Sequence, residues 1–322
     1  MATKKVIHPP TDLGLDEIMA YFSTDEKARE YFESVRWEKG RYCPHCGNAE
    51  EARIHAIQEN AATKVRAGLY ECGECRKQFT VTVGTVFERS KVPMRHWLVA
   101  YYMLCTSKKG CSALQLQRML KIGSYRTAWF MFHRIRYSMK DAIVVEQLTG
   151  EVEADETYIG ARNKRGTKRG RPGLESHKAP VVALVQRGGK VRSMYMPKVT
   201  GKNLKAVLRQ HVDPSAALMT DEYGIYRKPG RDFASHETVN HSLGEYVRGR
   251  AHTNTAEGFF SLLKRGINGT YHHVGKQHLG QYLGEFDFRY NTREMTDGQR
   301  TVEGIRKVSG KRLMLKRSKS AS

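Results

Sequence analysis

Two sets of side chains in this 322-residue chain have types and spacings that could do chemistry. The first is Cys43-Pro-His-Cys46-Gly with Cys72-Gly-Glu-Cys75, a CxxC…CxxC pair. Each CxxC makes a tight knuckle that offers two thiolates to one tetrahedral Zn²⁺, and the glycines relieve strain at the turns. With six cysteines in the chain, three disulfides would be an alternative, but the spacing and a reducing compartment favour metal. His45 lies inside a knuckle and is surplus to four thiolates, while Cys105 and Cys111 fall in helical surroundings and read as structural.

The second set is acidic. On a helical wheel of residues 251–267, Ala256, Phe259, Phe260, Leu262 and Leu263 fill one arc, and Asn254, Glu257, Ser261, Lys264 and Arg265 the opposite one. Glu257 and Lys264 are seven apart, about two turns, so they project from one strip. A structural reading of the same residues exists: Asn254 as N-cap with Glu257 three residues on would be a capping box. Upstream, Asp221 ends the short apolar run 216–220, and 151–159 alternates with Glu153, Asp155 and Thr157 on one side. Glu153, Glu156 and Glu222 stand beside the two aspartates and are further candidates, although Glu156 points off the face of Asp155 in a regular strand. Carboxylates suit hard Mg²⁺ or Mn²⁺ ions, which leave coordination positions open for phosphate and water. Two such ions roughly 4 Å apart can stabilise the attacking and the leaving oxygen of an in-line displacement.

The run HTNTAEGFFSLLKRGINGTYHHV, with KQHLGQYLGEFDFRYNTR after it and EADETYIG before it, resembles bacterial insertion-sequence transposases of the Merlin-related group. The resemblance covers roughly residues 12 to 308. It implies an N-terminal zinc ribbon and an RNase H-like catalytic domain with an Asp-Asp-Glu or Asp-Asp-Asn triad, the third member followed seven residues later by Lys. Carried onto this chain, the triad is Asp155, Asp221 and Glu257, with Lys264 as the following lysine and Asp155 favoured over its neighbours. The resemblance also implies two catalytic Mg²⁺ or Mn²⁺ ions, one structural Zn²⁺ on Cys43, Cys46, Cys72 and Cys75, and strand transfer rather than cutting alone. Double-stranded DNA, as transposon ends and target, would be the partner of a homo-oligomer.

The elements that must position these residues can be read in order. Residues 1–37 predict two helices, with Leu15, Ile18, Met19 and Phe22 on the first and Ala28, Tyr31, Phe32 and Val35 on the second, and Ser23 with Glu26 as a capping box. Residues 38–90 are the expected zinc ribbon. Residues 91–145 predict three helices in a helix-turn-helix-like layout, the last carrying Arg126, His133, Arg134 and Arg136, of which the arginines are candidate DNA contacts. Residues 146–310 are the expected catalytic domain. After its first strand comes ARNKRGTKRGRPGLESHK, whose Lys164, Arg165, Lys168, Arg169 and Arg171 are expected to lie along a phosphate backbone. Two strands joined by a turn at 187–190, a helix at 201–211 and the strand ending at Asp221 complete a βββαβ order. Asn254 and Arg265 are further candidate DNA contacts, and 311–322 is an expected basic, disordered tail. The fold class expected is thus multidomain α+β, with a zinc ribbon, a helix-turn-helix-like segment and an RNase H-like mixed sheet.

Composition agrees with a polyanionic partner: 55 Lys and Arg against 33 Asp and Glu give a formal charge of +22. No apolar run approaches the roughly 18 residues of a membrane span, and MATKKVIHPP lacks a signal-peptide core, so a cytoplasmic, nucleoid-associated protein is expected. Two rival functions share these features: a structure-selective metal-dependent nuclease, and a DNA-binding regulator whose catalytic fold is inactive.

Overall fold

The computed structural model describes residue 12 and residues 14–140, 146–160 and 178–314. They form two compact units, one taking the described residues up to 107, 111–139 and those from 294 onward, the other 108–110 and 140–293.

In the first unit, α1 (Leu15–Tyr21) buries Ile18, with Phe22 just beyond its end, whereas Leu15 and Met19 are exposed. One buried residue per turn is all that so short a helix presents. Helix α2 (Asp25–Arg36) buries Ala28, Tyr31, Phe32 and Val35, the i, i+3, i+4, i+7 stripe of an amphipathic helix. Its cap differs from the sequence expectation: Thr24, not Ser23, accepts the Lys27 N–H, at 3.3 Å. The Ser23 hydroxyl instead donates back to Ala20 O at 2.9 Å.

Three antiparallel strands follow in the order β1 (Ile54–Ile57), β2 (Leu69–Cys72), β3 (Gln78–Phe79). Their small core is aromatic, with Trp37 edge-on to Tyr70 and Phe79 at 5.3 and 6.3 Å. The expected three helices are α3 (Met94–Thr106), α4 (Ala113–Met119) and α5 (Tyr125–Met139). Ser112 caps α4 by accepting the Gln115 N–H. Phe87 joins these parts, its ring centroid 5.0 Å from both Phe32 and Trp97.

The second unit is built on a five-stranded mixed sheet. Its strands are β4 (Glu151–Ile159), β5 (Ala179–Gln186), β6 (Val191–Tyr195), β7 (Ala217–Asp221) and β8 (Ser235–Val239), in the order β6-β5-β4-β7-β8. Pairings among β4, β5 and β6 are antiparallel, and β4, β7 and β8 run parallel. This is the RNase H-like arrangement that the resemblance implied. Helix α6 (Gly201–His211) covers one face, packing Leu204 and Leu208 against Val152, Ala154, Val182, Leu184 and Leu218. After β7, the short α7 (Arg227–Gly230) precedes β8. Helices α8 (Asn254–Gly266) and α9 (Lys276–Asn291) cover the other face, over Val181, Ala183, Val185 and Val191. Because both faces are covered, β5 reads as a near-continuous apolar run, APVVALVQ, rather than an alternating one.

The chain then returns to the first unit. Helix α10 (Asp297–Arg306) packs on α3, where Arg300 donates to Cys105 O at 3.0 Å. Ser309 bridges Thr85 and lies 3.2 Å from the Tyr42 hydroxyl, and Gly310 N–H donates to Gly84 O at 2.9 Å. The second unit therefore ends near 293 rather than 310. Of the expected tail, Lys311 donates to Ser138 O and Arg312 lies 3.4 Å from Glu88, while 315–322 fall outside the described residues. Among the described residues, no helix is long and apolar enough to cross a membrane.

Candidate active site and zinc centre

The four ribbon cysteines bring their sulfurs within 4.8 Å of one another. Cys43 and Cys75 are 3.7 Å apart, as are Cys46 and Cys72, far beyond a disulfide bond. A tetrahedral zinc ion with Zn–S bonds of about 2.3 Å sets its sulfurs roughly 3.8 Å apart, so the thiol set fits that ion. The backbone N–H of Cys75, then that of Glu74, hydrogen-bonds Cys72 and lowers its thiol to about 6, favouring the thiolate a metal needs. His45 Nε2 sits 3.3 Å from Gln78 O, outside the sulfur set as expected. Cys105 and Cys111 are buried in the helical part of the unit.

The acidic site is assembled by the sheet. In the parallel ladder, Glu151, Val152 and Glu153 pair with Ala217, Leu218 and Met219. The same register carried two residues on sets Asp155 level with Asp221 on adjacent strands, and side-chain alternation puts both on the α8 face. Glu257 approaches from the first turn of α8. Burial, then the charges of Glu156, Asp221 and Glu257, raises the Asp155 carboxyl to about 7, although the Glu156 N–H donates to it at 2.7 Å. A divalent cation on this face would remove that repulsion, and the oxygen donors are of the kind Mg²⁺ and Mn²⁺ take. The set is looser than the thiols: among the described residues, the four cysteines are the one group of three or more such side chains gathered closely enough to hold an ion.

The capping-box reading of Glu257 does not hold. The N-cap of α8 is Thr253, with no side-chain cap bond, and Asn254 is already the first helical residue. Glu257 is half-exposed, with His241 Nδ1 3.8 Å from its carboxylate.

The three neighbouring glutamates each have other partners. Glu153, fully buried, accepts from Thr255 N at 2.8 Å, Ala256 N at 2.9 Å and Thr255 Oγ1 at 2.9 Å. It thus ties β4 to the positive N-terminal end of α8. Arg187 Nε donates to the same carboxylate at 2.7 Å, and its other nitrogens reach Glu151 and the carbonyls of Arg250 and His252. His252 Nδ1 lies 3.0 Å from Glu153. Glu156 is on the opposite face, accepting from the buried Tyr226 hydroxyl at 2.9 Å. Glu222 accepts from Ser242 Oγ at 2.6 Å and His241 N at 3.0 Å, and the Ser242 bond leads the pull on its carboxyl down to about 2. Sequence reasoning missed Arg187, which read only as part of a turn, and the helix-anchoring role of Glu153.

The candidate DNA contacts divide. Lys264 and Arg265 are exposed on the last turn of α8, and Asn254 is exposed at its start. Arg126 is exposed at the start of α5. Arg134 is half-buried, its guanidinium 4.8 Å over the Phe130 ring and donating to Glu88 O at 3.2 Å. Arg136 is 2 % exposed and lies over Phe132, so its charge is inside the unit rather than on a DNA-facing surface. Lys164, Arg165, Lys168, Arg169 and Arg171 lie outside the described residues.

Comparison with known proteins agrees with this architecture. Residues 147–291 match the ISXO2-like transposase domain, and residues 23–78 match the transposase zinc-ribbon domain. A protein of transposable element ISH50 from Halobacterium salinarum is 30% identical over 281 residues, 83% of this chain and 91% of the relative. A transposase-like protein from Haemophilus influenzae is 26% identical over 106 residues, 33% of this chain and 85% of the relative. With an RNase H-like sheet carrying carboxylates on one face, a four-cysteine ribbon and that extent of identity, the chain belongs to the ISXO2-like transposase family.

Proposed function

We propose that this transposase binds the ends of an insertion sequence, cleaves them, and joins the released 3′ ends to target DNA. Asp155, Asp221 and Glu257 would hold two Mg²⁺ or Mn²⁺ ions, which supply charge stabilisation for the attacking and leaving oxygens of an in-line displacement. In the first step water attacks the scissile phosphorus and the 3′ oxygen leaves, giving a 3′-hydroxyl and a 5′-phosphate. In the second that hydroxyl attacks a target phosphodiester, a new P–O bond forms, and the target's own 3′ oxygen departs. Lys264 would hold a DNA phosphate near the metals. Arg126, Asn254 and Arg265, with the basic run from Lys164 to Arg171, would contact the backbone of double-stranded DNA in a homo-oligomeric synapse.

Support for this reading comes from the β4–β7 ladder, whose register, extended two residues beyond Glu153 and Met219, sets Asp155 level with Asp221 on the α8 face, and from the Glu257 charge acting on Asp155. The zinc ribbon, which the family's ribbon model also matches, accords with it. The test supplies intact and precut end duplexes in parallel, each with a supercoiled plasmid and Mg²⁺. Covalent joining of ends to plasmid is expected. Cutting of intact ends without joining would reduce the protein to a nuclease, and neither reaction would leave a DNA-binding regulator.

A further inference from the structure

At the C-terminal end of α8 lies an open groove of about 590 Å³, lined by Lys109, Ser261, Lys264, Arg265, Asn268 and Thr270. Its lining carries three cations, two hydroxyls and an amide, with no carboxylate and no large apolar side chain. Such a surface recognises anionic oxygens rather than a hydrophobic ligand. Lys109, Lys264 and Arg265 are all exposed, and none has an ion-pair partner among the described residues.

Lys109 comes from a turn remote in sequence from α8, and two glycines make its approach possible. A Cβ on Gly266 would stand 2.9 Å from Lys109 O and 2.3 Å from the Phe286 ring. Gly110 has φ +89°, and a Cβ there would meet the Tyr271 hydroxyl at 1.8 Å. That hydroxyl donates to the buried Glu285 carboxylate at 2.7 Å. The turn is thus pressed onto the end of α8 and its lysine is delivered beside Lys264 and Arg265.

We infer that this groove binds the phosphodiester backbone of one DNA strand, with Lys109 as a contact beyond the Lys264 and Arg265 already assigned to DNA. An open channel with several cations suits a row of phosphates better than one small anion. Glu257 and Lys264 are seven residues apart, roughly 10.5 Å along the helix.

This inference rests on the proposed action on DNA, and its test is read without cleavage. Binding of a 30-base-pair duplex, of a length chosen on the order of a few helical turns, is followed by fluorescence anisotropy across a salt series in EDTA. Lys109→Ala and Arg265→Ala should each flatten the slope of log K against log salt by about 0.9, and the double variant by about 1.8. Lys202→Ala, an exposed lysine on α6 across the sheet, should leave it unchanged. Unchanged slopes in the double variant would overturn the groove, and so would an equal fall in Lys202→Ala, which would mean diffuse attraction. The catalytic reading fails on a separate result: metal-dependent cleavage surviving in Asp155→Asn.

Discussion

The four-cysteine centre and the proposed acidic site are built by opposite strategies. The zinc centre takes its four sulfurs from two short knuckles and holds them within 4.8 Å, over a three-stranded sheet with a small aromatic core. The acidic site draws Asp155 from a strand, Asp221 from a strand end and Glu257 from a helix, all resting on a sheet packed on both faces. In the first the ligands make the fold, because metal binding supplies free energy that a small core lacks. In the second the fold must gather the carboxylates, against the burial and the neighbouring charges that together raise Asp155 to about 7. The acidic site therefore needs a positioning device, and the buried Glu153 with Arg187 provides one by anchoring the start of α8 to β4.

This contrast predicts different failures. The largest effect should follow Cys43→Ser or Cys72→Ser: zinc content falls and residues about 40 to 85 lose protection from hydrogen exchange, since structural zinc contributes on the order of 10 kcal/mol. Well-folded wild-type protein without zinc would break the comparison. Next, Glu153→Ala leaves the Arg187 charge without its buried partner and should cost about 3–5 kcal/mol in urea unfolding. Glu153→Gln keeps an acceptor for the α8 N–H groups and should cost distinctly less. Equal costs for the two would mean the helix anchor is unimportant.

Smaller effects sharpen the reading of the first unit. Arg136→Ala should destabilise by about 1–3 kcal/mol, as buried-site substitutions do, whereas Arg126→Ala should leave thermal stability unchanged and only flatten the salt dependence of DNA binding. Thr24→Ala should cost about 1 kcal/mol through loss of the α2 cap, and Ser23→Ala should cost less.

Much of this was legible in the sequence because it is local or periodic. The CxxC knuckles, the stripe of α2 and the two-sided strand around Asp155 each leave a pattern within a few residues. What escaped depends on long-range partners. Arg136 falls on the polar arc of a wheel, and a wheel cannot show that α3 and α4 both pack against α5. Strand β8, SHETV, shows no apolar alternation and lies at the sheet edge, where among the described residues it pairs only with β7. The return of 294–314 to the first unit is set by contacts such as Ser309 with Tyr42, which no local pattern records. Glu153 and Asp155 share a strand face, so spacing alone could not show which of them anchors α8 and which is left for the proposed acidic site. Hydrogen-bond partners separate them.

The central claim, that Asp155, Asp221 and Glu257 act as one metal-binding set, is tested most directly by Glu257→Gln. Gln keeps the size and hydrogen-bonding capacity of Glu while removing the charge that a hard cation requires. Cleavage of a transposon-end duplex in Mg²⁺ is measured beside binding of the same duplex. The account predicts that cleavage is abolished while binding is retained, with Asp155→Asn and Asp221→Asn behaving alike. Cleavage by Glu257→Gln close to the wild-type rate would contradict it and remove α8 from the active site.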